Sequence, residues 1–202
     1  MLTIKPEELT ERENYKFLIG SIIPRPIAVV SSMSTEGVLN IAPFSYFNIV
    51  TSNPPIVSIA IQRKQGEMKD TARNIINLKE AVIHIADEEN IESINETAAN
   101  LLASESELER TDFTLGESNV VSVPYLVEPK IKFETTLYDY LPIKDGDKVT
   151  ADLLLLKIEA YHIEETLYHE GRIDPDLLHP MSRLAGNDYA RLGEKLTIKR
   201  PE

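Results

Sequence analysis

The chain has no cysteine and no tryptophan, and its 202 residues include only eight glycines. It also has no apolar run near the roughly 20 residues that cross a bilayer, so no membrane partner is expected. Without cysteine there is no disulfide, no thiolate nucleophile and no iron–sulfur cluster, and any redox chemistry belongs to a bound cofactor. The glycines are too widely separated for Gly-x-Gly-x-x-Gly, for a phosphate loop ending in Gly-Lys-Ser/Thr or for Gly-x-Ser-x-Gly. A dinucleotide-binding Rossmann unit, a P-loop and a nucleophile elbow are therefore excluded. Positive charge is scarce too: 21 Lys and Arg face 33 Asp and Glu, and the net charge of -12 opposes binding to nucleic acid. The four histidines, His84, His162, His169 and His179, are too scattered to suggest a metal site. The opening residues, Met1 to Glu8, lack the apolar core of a signal peptide, so the expected location is cytoplasmic.

What is present reads as one domain over residues 1–202, with 42% hydrophobic residues for a core and no repeat or linker to divide it. Thr10 and Glu13 have capping-box spacing, predicting a first helix that ends near Gly20, before Pro24 and Pro26. Ile27 to Ser32 and the segment from Val38 read as strands joined through Thr35-Glu36-Gly37. In Ile56 to Ile61 the bulky Val57, Ile59 and Ile61 share one face, while Ser58 and Ala60 leave the other open to close approach. A polar loop, Arg63 to Lys69, leads to a helix with Ala72, Ile75 and Ile76 on one stripe, capped by Asp70 or Thr71. Ala81 to Ala86 predicts a strand. Ile91, Ile94, Ala98, Leu101 and Leu102 predict a helix over 90–103, followed by an acidic surface loop with a helical turn in which Glu105 to Glu109 are solvated. Ile131, Phe133, Thr135 and Leu137 alternate with Lys132, Glu134 and Thr136, the pattern of a half-solvated strand. Asp145-Gly146 turns that strand into Val149 to His162, with Leu153 to Leu156 expected in the core. Many strands without regular helix alternation predict a mainly β barrel with peripheral helices.

Four pieces carry the chemistry: Pro24 to Ser32, Asn40-Ile41-Ala42-Pro43-Phe44-Ser45-Tyr46-Phe47-Asn48, Pro54 to Ile59, and Lys69-Asp70-Thr71-Ala72-Arg73-Asn74-Ile75. Alone, Lys69 beside a helix start is either an anion site or a solvated lysine, and Asn40 to Ser45 is either a donor-rich cradle or a polar turn. In this order and spacing, with Gly171 to Asp174 and Arg183 to Tyr189 further on, they resemble the flavin reductase-like, FMN-binding split-barrel family, most closely its flavoredoxin-type branch. The resemblance covers nearly the whole chain. It implies a split β-barrel, FMN as cofactor with FAD also compatible, NAD(P)H as electron donor, and a homodimer.

It further implies that Lys69, Asp70 and Thr71 meet the phosphate, and that Ser31, Ser32, Asn40, Ala42, Phe44 and Ser45 line the ribityl chain and ring. Arg183 approaches from the C-terminal segment, where the family usually has two glycines and this chain has Ala185-Gly186. His162 and His179 are possible neighbours of a nicotinamide. No side-chain acid or base is required for hydride transfer. Two activities are compatible with these residues: an NAD(P)H-dependent reductase serving free flavin or another acceptor, and a flavoredoxin-type electron carrier that serves a redox protein partner.

Overall fold

The computed structural model describes residues 1–201. Seven segments of β-branched and alternating sequence form one antiparallel sheet: β1 (Ala28–Met33), β2 (Leu39–Phe44), β3 (Phe47–Ser52), β4 (Pro55–Gln62), β5 (Glu80–Ile85), β6 (Ile131–Asp145) and β7 (Lys148–Ile163). Their spatial order is β2-β1-β5-β6-β7-β4-β3. The β1–β2 turn uses Gly37 at φ +84°, where a side chain is disfavoured, and Ser34 Oγ accepts the N–H groups of Glu36 and Val38. The sheet curls until its two ends share one core. Phe44 from one end and Val57 and Ile59 from the other pack with Val30, Ile83 and Leu154, and the Ala60 N–H reaches the Tyr46 carbonyl at 2.9 Å. This is the expected split barrel.

A second apolar cluster lies on the outer face of β1, β2 and β5, where Val29, Ile41 and Val82 meet Ile94, Val123 and Leu126. Strand β1 is consequently buried on both faces. Helix α1 (Glu11–Ser21) has the predicted reciprocal Thr10–Glu13 capping box. Helix α2 (Asp70–Leu78) buries Ala72 and Ile75 against the barrel and stops at Lys79, whose φ is +66°. Two further α-helices among the described residues are α3 (Ile91–Glu96) and α4 (Pro175–Leu178). Among the described residues, no helix is long and apolar enough to cross a membrane.

Four expectations need correction. Helix α3 ends at Glu96 rather than near residue 103. Thr97 Oγ1 donates to the Ile94 carbonyl at 2.7 Å, and the next turns tighten to i→i−3 bonds at Ala98 and Ala99. Of Leu153 to Leu156, only Leu154 and Leu156 are core, because β7 keeps its alternation and half-exposes Leu153 and Leu155. Glu134, expected in solvent, is fully buried. Its carboxylate accepts the N–H groups of Asn119 (2.7 Å), Val120 (2.6 Å) and Val121 (3.0 Å) and lies 2.5 Å from His162 Nε2. Glu107 leaves the solvated acidic run to accept the Ile41 N–H at 2.9 Å. Desolvation raises the Glu107 carboxyl above its ordinary value, although the bond from Ile41 pulls the other way.

Candidate functional site

The site is built where β4 gives way to α2. Lys69, not Asp70 or Thr71, occupies the N-cap position, in extended geometry (φ -68°, ψ 152°), and its side chain makes no capping bond. Thr71 does not cap because its hydroxyl accepts from Asn40 Nδ2 at 2.8 Å. Asp70 is held in an ion pair with Arg73, which also donates to the Met68 carbonyl at 2.8 Å. The positive end of the helix dipole therefore has a cation beside it and a threonine hydroxyl within its first turn. The residue Lys69 is exposed, but protein crowded round its ammonium lowers its pKa by desolvation, and repulsion from Lys64 lowers it further. Its Nζ lies 5.7 Å from the centre of the Phe44 ring.

Three clefts converge on Pro43 and Phe44. One, of about 250 Å³, runs along Asn40, Ala42, Phe44, Lys69, Asp70 and Thr71 to the turn at Thr97–Leu101. A second, of about 210 Å³, runs from Phe44 and Ser45 past Tyr46 and Ala60 to Arg183. A third, of about 160 Å³, joins Phe44 and Ser45 to Ala98 and Tyr189. Ala60 is the small residue expected to permit close approach. Strand β2 lies at an end of the sheet order, so its N–H groups alternate between the β1 ladder and the open side. The Ile41 N–H is taken by Glu107, and Pro43 has no N–H to offer.

The C-terminal segment forms a wall of these clefts. A two-residue strand, Ser182–Arg183, pairs with Arg25–Pro26 on one side and Tyr189–Ala190 on the other. Gly186 takes φ +61°, and the turn closes with the Leu184 N–H on the Asp188 carbonyl at 3.0 Å, so Ala185 in place of a glycine leaves it intact. The Arg183 guanidinium lies 4.4 Å above the Tyr189 ring and donates through Nη2 to the Gly186 carbonyl at 2.6 Å. Its Nη1 is buried without a hydrogen-bond partner among the described residues.

The structure thus brings Asn40, Ala42, Phe44, Lys69, Asp70 and Thr71 into one cleft, with Ser45 and Arg183 next to them. It does not bring Ser31 and Ser32 there. Both are fully buried: Ser31 Oγ donates to the Pro124 carbonyl at 3.0 Å, and Ser32 Oγ accepts from Asn74 Nδ2 at 3.3 Å. His162 lines none of the three clefts, being held by Glu134 and the Tyr125 ring, whose centre is 5.2 Å away. His179 ends α4 with φ +48° and also lines none of them. His84 is the satisfied structural histidine expected. Its Nδ1 lies 2.9 Å from the Val29 carbonyl, and its Nε2 accepts the Leu126 N–H at 2.8 Å.

Sequence reasoning missed Arg25. Its buried guanidinium donates to the carbonyls of Ile19 (2.8 Å), Ile22 (2.6 Å) and Leu184 (2.9 Å) and contacts Ser45 Oγ at 3.4 Å. A cation set between two prolines, each unable to donate a backbone N–H, was the available signal.

The sequence model described as the flavin reductase like domain matches residues 19–180. An uncharacterized protein of Bacillus subtilis, YwrF, is 45% identical over 204 residues, covering 100% of both chains. The crystal structure of nitrilotriacetate monooxygenase component B from Bacillus cereus is 51% identical, covers 98% of each chain and superposes with a TM-score of 0.96. That of the 2-nitrobenzoate 2-nitroreductase NbaA from Pseudomonas fluorescens is 31% identical, covers 99% of this chain and 96% of its own, and gives 0.88. Split-barrel flavin reductases and flavoredoxins are among the more distant structures that share the fold.

Proposed function

The chain belongs to the flavin reductase-like domain family, and from that premise we propose that it is an oxidoreductase that binds FMN and passes reducing equivalents from NAD(P)H to free flavin or to a partner protein. One observation carries the reading: a helix start flanked by Lys69 opens into the same cleft as the apolar Pro43–Phe44 wall, beside a buried Arg183 Nη1 with nothing to bond. These residues fit a planar ring bearing a phosphate. Lys69, the α2 N-terminus and the Asn40–Thr71 pair suit the phosphate, Phe44, Pro43 and Ala60 suit the ring, and Ser45 and Arg183 supply donors at its polar edge. Bound FMN supplies hydride acceptance and electron return. The protein's part is to hold the ring, leave one face open to a nicotinamide and meet the charge that reduction adds.

Similarity to a monooxygenase component B favours delivery of reduced flavin to a separate oxygenase. The deciding experiment is the visible spectrum of the protein with FMN under anaerobic NADH and then NADPH. Bleaching by either nucleotide supports the reductase. Bound flavin that only dithionite reduces replaces it with the electron carrier, and failure to retain or rebind flavin overturns both.

Lys69→Ala is expected to weaken FMN about 10- to 100-fold while leaving riboflavin nearly unchanged, because only FMN carries the phosphate. Titration of the flavin fluorescence with protein measures both ligands, and equal weakening would remove Lys69 from the phosphate site.

The proposal includes a homodimer. Ile49 and Val50 on edge strand β3 and Leu141 and Ile143 on β6 are exposed large apolar residues, and the half-exposed Leu153 of the adjoining strand β7 pairs with Leu141. Light scattering at micromolar concentration should give about twice the 22.8 kDa chain mass, and a monomeric mass is the result that defeats this assembly.

A further inference from the structure

One cation of the clefts has no part in the function proposed above. Arg25 lines the cleft of about 210 Å³ together with Lys69 and Arg183, and no Asp or Glu among the described residues lines it. On a chain of 33 acidic residues, three cations thus meet where no carboxylate does. In the proposed function Lys69 meets a phosphate and Arg183 the polar edge of a ring. Arg25 differs from both in being buried, only 6% exposed. Its guanidinium donates to the carbonyls of Ile19, Ile22 and Leu184, all neutral acceptors, and it forms no ion pair among the described residues. Ile19 and Ile22 stand at the C-terminal end of α1, whose dipole presents there the equivalent of about half a negative charge. The rest of the positive charge has no counterpart in the protein. A buried charge without a counter-ion is costly to fold around, and its place here is accounted for by something negative that comes to it from outside the chain.

Two groups of the same cleft register that charge. Ser45 Oγ lies 3.4 Å from Arg25 Nε and can only accept from it, so the Ser45 hydroxyl proton is left for another acceptor. The Tyr46 hydroxyl is buried with no hydrogen-bond partner among the described residues. Burial raises the Tyr46 phenol above its ordinary value and Tyr15 adds to the rise, while the Arg25 charge pulls it down. An anion that forms in this cleft feels a cation that no carboxylate cancels.

We propose that Arg25 makes the clefts favour reduced flavin over oxidised flavin, by supplying a fixed positive charge for the negative charge that reduction adds to the ring. The inference rests on the flavin reading and deepens it. NAD(P)H gives up a hydride, two electrons with one proton, and leaves as NAD(P)+. The ring that accepts the hydride gains one negative charge and takes no proton from the protein. Arg25 is held in place by its three carbonyls before that charge forms, so no group has to move to meet it.

The experiment measures the affinity for oxidised FMN by fluorescence titration and the midpoint potential of bound FMN by equilibration with a reference dye, in the wild type, Arg25→Gln and Arg25→Lys. Together the two numbers give the ratio of reduced to oxidised affinity. Glutamine removes the charge, whereas lysine keeps it and loses the fork that reaches several carbonyls at once. The ratio should fall about tenfold in Arg25→Gln, which lowers the midpoint potential by about 30 mV, and stay within about twofold of the wild type in Arg25→Lys. A role confined to holding the wall weakens both forms equally. An Arg25→Gln potential equal to that of the wild type therefore overturns the assignment, and so does an Arg25→Lys ratio that falls as far as that of Arg25→Gln. If neither variant folds, the wild type decides: bound FMN should have a higher midpoint potential than free FMN in the same buffer, and an equal or lower one overturns the assignment. A wild type that binds no FMN defeats the flavin reading and this inference with it, whereas FMN binding with an unmoved ratio defeats the inference alone.

Discussion

Glu134→Ala should lower folding stability by about 3–5 kcal/mol, the scale for removing one partner of a buried charged network. The carboxylate is fully buried, and its loss would leave the N–H groups of Asn119, Val120 and Val121 without their acceptor. Burial alone would raise its pKa. The bonds from Asn119, His162, Val120 and Val121 outweigh that effect and hold it below the ordinary 4.5. A carboxyl with a depressed folded pKa contributes stability above its unfolded value and loses it as pH falls through the folded one. Glu134→Gln keeps the shape and one acceptor oxygen, so it should cost less than the alanine. Urea unfolding at neutral pH reads both, and an alanine variant within about 0.5 kcal/mol of wild type would show that the network carries no net stability.

The second large effect is a pH dependence centred on His84. Burial holds this imidazole neutral and pushes its pKa down to about 3 from 6.5, opposed in part by the bond to the Val29 carbonyl. The unfolded chain takes up a proton below about pH 6.5 that the folded chain refuses. The contribution is therefore complete above pH 6.5 and is lost as pH falls toward 3, at about 1.4 kcal/mol per pH unit. Stability should fall between pH 6.5 and 4.5, and His84→Leu, although less stable at neutral pH, should show a flatter slope. Should that variant fail to fold, the wild type still answers. In proton NMR the His84 imidazole resonance should not shift between pH 8 and 5, and a titration midpoint near 6.5 contradicts the assignment.

These two groups show what was and was not legible in the sequence. The barrel was legible because its information is local: the alternation in Val57, Ile59 and Ile61, the turn at Gly37 and the break at Pro24 and Pro26 each act within a few residues. The cleft residues between Asn40 and Thr71 come from the resemblance instead, since alone each of their segments also reads as a polar turn or an ordinary helix start, and the fold brings them into one cleft. Glu107 and Glu134 were misread as solvated because alternation assigns a carboxylate to water. Their partners are backbone N–H groups at Ile41 and Asn119 to Val121, which only the tertiary fold delivers. Ser31 and Ser32 were placed at the site by resemblance, but Pro124 and Asn74, remote in sequence, occupy their hydroxyls. The early end of α3 was hidden because Ala98 and Leu102 keep helical spacing although both are exposed.

The buried guanidinium of Arg25 also sets a time at which the site can exist. Its carbonyl partners come from Ile19 and Ile22, made early in synthesis, and from Leu184, made near the end. Synthesis runs from the N-terminus, so the last barrel strand, which ends at Ile163, is made some twenty residues before the Arg183 wall. The C-terminal wall of the clefts is thus the last part of them to be made.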